Sequence, residues 1–133
     1  MKSYRLAVIG ATGAVGQEIL RTLERRQFPV ASLKALASAR SVGKTVEFAG
    51  KPLAIEELNE AAFADVDYAL FSAGATRSRQ FADACKKAGA VMIDNSSAFR
   101  MRADVPLVVP EINAGDLAQH QGIIAVPNCS AII

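Results

Sequence analysis

Residues 5–16 read Arg5-Leu-Ala-Val-Ile9-Gly10-Ala-Thr-Gly13-Ala-Val-Gly16, an apolar run closed by three glycines at a spacing of three. A short uninterrupted apolar segment of this kind suits a strand buried on both faces of a parallel sheet. Beyond the glycines, Val15, Ile19, Leu20 and Leu23 fall on one face of a helix, and Gln17, Glu18, Arg21, Glu24 and Arg25 fall on the other. The context is therefore strand, glycine turn, helix. In such a turn the first glycine, Gly10, permits the sharp bend. A missing side chain at the second, Gly13, lets a phosphate approach the backbone, and the third, Gly16, lets helix and strand pack closely. The N–H groups of Gly13, Ala14 and Val15 are then aimed at a pyrophosphate, assisted by the helix dipole.

The same alternation continues along the chain. Pro29 ends the first helix, because Phe28 before it avoids the helical region. Residues 33–37 read as a second strand, 38–44 as a polar loop, and 45–48 as a short extra strand. Residues 66–72 form the next apolar run. Thr76 is the expected N-cap of a second helix that buries Phe81, Ala82, Cys85 and Ala88 and stops at Gly89. Strands are expected at 91–93, 107–109 and 123–126, with a polar loop over 94–102. Strand and helix in alternation imply an α/β fold of the Rossmann-like, doubly wound type, with a mostly parallel sheet.

The 133 residues correspond to one domain, 1–133, and the 51% hydrophobic share supports an ordered core. Two cysteines do not make a disulfide scaffold, so a reducing compartment and a cytoplasmic location are expected. A net charge of +2 without a dense basic stripe argues against nucleic acid as a partner. No run approaches the roughly 18 apolar residues of a membrane span. Lys2 and Arg5 ahead of an uncharged run resemble a secretory leader, but the glycines would weaken its apolar helix.

Cofactor choice turns on the end of the second strand. A site for NAD places an acidic residue there to hold the ribose hydroxyls. No acidic residue occurs from Arg25 to Thr45, where Ser38, Arg40, Ser41 and Lys44 stand instead. A guanidinium flanked by hydroxyls suits a 2′-phosphate, which points to NADP.

Two further segments sit where strands end. In Asp94-Asn-Ser-Ser-Ala-Phe-Arg100, Arg100 is a candidate anion ligand, while Asn95, Ser96 and Ser97 could equally serve only the turn's own backbone. In Pro127-Asn-Cys129-Ser, a cysteine at a helix N-terminus would have a lowered pKa and suit a nucleophile, although a lone cysteine also reads as a small buried hydrophobe. Cys85 lies on an apolar helix face and reads as core. His120, the only histidine, reads as a surface residue, and no metal is expected without a second histidine or paired cysteines.

Taken in order, Gly10-Ala-Thr-Gly-Ala-Val-Gly16, Ser38-Ala-Arg-Ser41, Phe71-Ser-Ala-Gly74, Asp94-Asn-Ser-Ser-Ala-Phe-Arg100, Val105-Pro-Leu-Val-Val-Pro-Glu111 and Pro127-Asn-Cys129 resemble the N-terminal half of the aspartate-semialdehyde dehydrogenase family. That resemblance implies reversible conversion of aspartate semialdehyde, phosphate and NADP to aspartyl phosphate and NADPH. It serves biosynthesis of lysine, threonine, methionine and isoleucine. It makes Cys129 the nucleophile that forms a thiohemiacetal and then an acyl-thioester, with Asn128 orienting the carbonyl. Arg100, with Asn95, would hold phosphate or the acyl phosphate. Thr12, Gly13, Ala14 and Val15, with Arg40 and Ser41, match NADP-contacting positions, and Ser72, Ala73 and Gly74 line the cofactor channel.

Ala75, Val126 and Ala131 depart from residues frequent in the family. The resemblance also implies a further domain that dimerises, giving a homodimer or homotetramer, and that supplies a histidine base, a carboxylate-gripping arginine and a phosphate-binding lysine. The 133-residue chain is thus expected to bind nucleotide without turnover. Competing readings are a reductase of N-acetyl-gamma-glutamyl phosphate and a nucleotide-binding module without chemistry. An active short-chain dehydrogenase is disfavoured, because Tyr4 and Tyr68 are followed four residues later by Val8 and Ser72 rather than lysine.

Overall fold

The computed structural model describes residues 2–108, 115 and 120–127. Among these, strands run over Tyr4–Ile9 (β1), Val30–Ala37 (β2), Thr45–Phe48 (β3), Lys51–Glu57 (β4), Tyr68–Phe71 (β5), Val91–Asp94 (β6) and Ile123–Ala125 (β7). Helices span Ala14–Arg25 (α1) and Ala75–Lys87 (α2). The strands form one sheet in the order β3-β4-β2-β1-β5-β6-β7, and only the β3–β4 pair is antiparallel. The α/β, doubly wound, mostly parallel architecture expected from the sequence is what the chain adopts.

Alternation along β1 divides the interior between two faces. Val8 packs with Leu20 of α1, Ala35, Ala37 and Ile55 on one face. Ala7 and Ile9 pack with Leu36, Phe63, Phe71, Phe81, Cys85 and Met92 on the other. There the rings of Phe63 and Phe71 stack with centroids 5.8 Å apart. At the opposite end of the strands, Asp67 accepts hydrogen bonds from the Arg5 backbone N–H at 2.8 Å and from Arg5 Nη2 at 3.0 Å. The Arg5 guanidinium holds the Asp67 carboxyl below its ordinary pKa. Neither helix is long and apolar enough to cross a membrane.

Several expectations need correction. Strand β4 and the short 3-10 turn Glu60–Phe63 were not anticipated, because Pro52 argues against a strand and the apolar alternation extends only over Leu53 and Ile55. Val15 is exposed, since the buried stripe of α1 centres on Gly16 and Leu20, one residue round from the predicted face. Thr76 does not cap α2. Gly74 does, with φ of +92°, and the helix already begins at Ala75. Ala88 lies beyond the helical end and is exposed, whereas Gly89 stops the helix as expected, with φ of +85° and the Ala90 N–H bonded to the Cys85 carbonyl. Leu107 makes a single bridge to Ala125 rather than a strand, and Val109 lies outside the described residues.

The β1–α1 turn sets the position of everything after it. A Cβ on Gly16 would stand 2.2 Å from the Gly10 carbonyl oxygen, and one on Gly10 would stand 2.8 Å from the Ser72 carbonyl oxygen. Both obstacles are backbone, so neither can swing away. Gly16→Ala is therefore expected to cost about 3 kcal/mol of folding stability, read from urea denaturation. An unchanged midpoint would contradict this packing.

Candidate functional site

Strands β2, β1, β5, β6 and β7 run parallel, so their C-terminal ends lie along one edge of the sheet. With neighbours about 4.8 Å apart, those five ends span roughly 19 Å. Along this line the sequence-predicted residues fall in order. Ser38, Arg40 and Ser41 follow β2. Gly10, Thr12, Gly13, Ala14, Val15 and Gly16 follow or open the turn after β1. Ser72, Ala73 and Gly74 follow β5, Asn95 and Arg100 follow β6, and Val126 and Pro127 follow β7. The edge is where open α/β sheets bind ligands.

The centre of the edge is built for close backbone approach. Ser72 ties the two central turns together, its N–H and Oγ both donating to the Ile9 carbonyl at 2.9 Å. The Thr12 carbonyl accepts from Gln17 Nε2 at 2.9 Å, which fixes the turn against α1. Gly13 differs from Gly10 and Gly16. Its φ is −78°, and a Cβ there would meet only the Gly10 carbonyl oxygen at 3.5 Å, an ordinary contact. The fold does not require glycine at this position, but a phosphate seated on the backbone does. Neither α1 nor α2 has a side-chain cap or an acidic residue in its first turn, and both start at this edge. Their first amides are therefore presented outward, which fits a pyrophosphate.

At the β2 end, Ser38 leads into the short 3-10 turn Ala39–Ser41, with the Ser41 N–H bonded to the Ser38 carbonyl at 2.9 Å. Arg40 projects from this turn and is exposed. The unpredicted strand β4 adds a residue here. Its parallel register places Glu57 beside Ala37, so an acidic residue lies next to the end of β2 although none is near it in sequence.

The β6 end is held by Asp94 and Arg100. Arg100 donates from Nε to the Val126 carbonyl at 2.9 Å and from Nη2 to the Asn95 carbonyl at 3.0 Å. It thereby clamps the loop after β6 to the segment leaving β7, three residues before Cys129. Asn128 and Cys129 themselves lie outside the described residues. Asp94 is wholly buried and accepts from Ser78 Oγ at 2.7 Å, from the Ser96 N–H at 3.1 Å and from Ser96 Oγ at 2.7 Å. The sequence reading missed this pair. The signal was Ser78, a hydroxyl on the same face of α2 as Phe81, Ala82 and Cys85, which needs a buried partner.

The remaining titratable candidates fall as expected. Cys85 is buried, its Sγ faces the Ala90 carbonyl at 3.8 Å, and burial pushes its thiol pKa up to about 12. His120 is exposed, and its Nδ1 accepts from the Gly122 N–H at 3.0 Å.

Residues 5–120 match the family described as semialdehyde dehydrogenase, NAD binding domain. The chain belongs to this family. It is 57% identical over 129 residues to aspartate-semialdehyde dehydrogenase of Synechocystis, an alignment covering 97% of this chain and 38% of the relative. It is 51% identical over 131 residues to the Bacillus subtilis enzyme of the same name, covering 98% and 38% respectively. The chain thus spans little more than a third of the length of these relatives. Among solved structures, aspartate semialdehyde dehydrogenase II of Vibrio cholerae complexed with ASA superposes with a TM-score of 0.94 at 47% identity, covering 98% of this chain and 44% of that one.

The contrast among the glycines gives this semialdehyde dehydrogenase domain a direct test. Gly13→Ala is expected to change stability by less than about 1 kcal/mol while lowering nicotinamide-nucleotide affinity about tenfold or more. Urea denaturation and a fluorescence titration read the two effects separately. Equal nucleotide affinity would show that the backbone at Gly13 is not the phosphate seat.

Proposed function

We propose that this chain is the NADP-binding part of an aspartate-semialdehyde dehydrogenase, whose whole enzyme makes aspartyl phosphate reversibly from the semialdehyde and phosphate. The observation that supports this reading is the Arg100 clamp, which seats a guanidinium against the segment leading to Cys129. Family membership and the order of residues along the sheet edge support it.

The glycine turn would hold the pyrophosphate on the amides of Ala14 and Val15, since the Gly13 N–H, expected from the sequence to join them, is donated to the Gly10 carbonyl at 3.1 Å, with Ser72, Ala73 and Gly74 on the neighbouring turn. Arg40, with Ser38 and Ser41, would hold the 2′-phosphate. NADP supplies the hydride acceptor. Cys129 would add its thiolate to the aldehyde carbon, giving a thiohemiacetal. Loss of hydride from that carbon leaves an acyl-thioester, and attack by phosphate releases aspartyl phosphate and restores the thiolate. Asn128 would orient the carbonyl, and Arg100 with Asn95 would hold the phosphate. The histidine base and carboxylate-gripping arginine belong to the further, dimerising domain that the family resemblance implies, in a cytoplasmic homodimer or homotetramer.

Glu57 beside Ala37 is the observation that favours NAD instead, so cofactor choice is decided by experiment at Arg40. Arg40→Ala is expected to weaken NADP binding by about 10-fold to 100-fold and to leave NAD affinity within about twofold. Equal loss for both nucleotides would overturn the 2′-phosphate assignment.

Activity gives the broader test. The 133-residue chain alone should bind nucleotide yet produce no NADPH from semialdehyde and phosphate. The enzyme carrying this domain should produce it, and Cys129→Ser should lower its kcat by about a thousandfold or more. Turnover by the chain alone would refute the need for the further domain, and an active Cys129→Ser enzyme would refute the role given to the cysteine.

A further inference from the structure

Asp94 has no place in the chemistry set out above, yet it is the one wholly buried acidic side chain among the described residues. A carboxyl group is among the costliest side chains to remove from water, and it is kept only where its oxygens are satisfied. Here the donors come from two separate elements. Ser78 Oγ, from α2, meets Oδ1 at 2.7 Å. The Ser96 N–H also meets Oδ1, at 3.1 Å, and Ser96 Oγ meets Oδ2 at 2.7 Å. Ser96 Oγ in turn accepts the Ala98 N–H at 3.2 Å. Two residues further on, Arg100 closes the loop through the carbonyls of Asn95 and Val126.

A turn alone does not call for this arrangement. An exposed Asp or Asn can cap its own backbone two residues on without burial. What burial adds is the bond to Ser78, sixteen residues away, which fastens the loop to a helix packed in the core. The loop between Asp94 and Arg100 is consequently pinned at both ends, by Asp94 at its root and by Arg100 at its tip. Such support fixes the geometry of a binding side chain before its ligand arrives, which lowers the ordering cost of binding.

We infer that Asp94, relaying through Ser96, is a positioning residue for Arg100: it sets the loop in the conformation in which the guanidinium receives an inorganic phosphate or acyl phosphate. This rests on the role given to Arg100 under the proposed function. It goes further in assigning the affinity for that anion to a buried group that does not touch it.

The test is an equilibrium titration with inorganic phosphate, followed by calorimetry on the enzyme carrying this domain. Ser96→Ala removes the relay at a half-exposed position, and Ser96→Thr keeps the hydroxyl. Ser96→Ala is expected to weaken phosphate binding about tenfold, and Ser96→Thr to stay within about twofold of wild type. NADP affinity should be unchanged in both, because the glycine turn lies two strands away from β6. Asp94→Asn should match or exceed the Ser96→Ala loss. If that protein does not fold, the Ser96 pair decides alone.

The inference is overturned by unchanged phosphate affinity in Ser96→Ala, by a loss that Ser96→Thr fails to restore, by equal weakening of NADP, or by a wild type that binds no phosphate. Because these are binding measurements, a wild type that binds phosphate but makes no NADPH counts against the proposed reaction and leaves the positioning role to the titrations.

Discussion

The whole sheet edge depends on how closely three backbones meet in the β1–α1 turn. The Gly10 carbonyl occupies the space a side chain at position 16 would need, and Ser72 of the adjoining turn occupies the space a side chain at position 10 would need. This contact holds the start of α1 down against the end of β1. It also draws the turn after β5 alongside. With those two turns fixed, parallel pairing carries the ends of β2, β6 and β7 into the same line. The ligand-facing edge is thus a product of backbone packing, and its side chains are added to a frame already set.

How much of this could be read beforehand differs by element. The strands β1, β2, β5 and β6 are apolar runs with little competing signal, and the glycine turn, a spacing shared by many dinucleotide folds, is placed by the strand before it and the helix after it. In strand β4 only Leu53 and Ile55 are drawn out of solvent, and its identity comes from pairing with β2 on one side and β3 on the other. Such pairing is long-range information that no local window contains. The face of α1 was misjudged for a related reason. Gly16 contributes nothing to an apolar pattern, yet it marks the line of closest approach, and Val15 is turned outward as a result.

The site shows the same division. Arg40 and Arg100 stand out in the sequence as guanidinium groups in polar loops that follow apolar runs. Asp94 was visible only as the first residue of a polar loop. Its burial depends on Ser78, and the link between them appears only once α2 is laid across β6. Glu57 is likewise remote in sequence from Ala37 and adjacent to it in space. Groups that work through partners are harder to read than groups that work alone, because the partner is chosen by the fold.

The two carbonyls bound by Arg100 take up only part of what its side chain can give. One belongs to the loop after β6 and the other to the chain leaving β7 toward Cys129. A guanidinium carries five N–H donors in one rigid plane, and these bonds engage Nε and one N–H of Nη2. The same two bonds that join the loop to the strand exit therefore fix the plane in which the other donors lie, so the direction of this side chain is decided by backbone rather than by solvent.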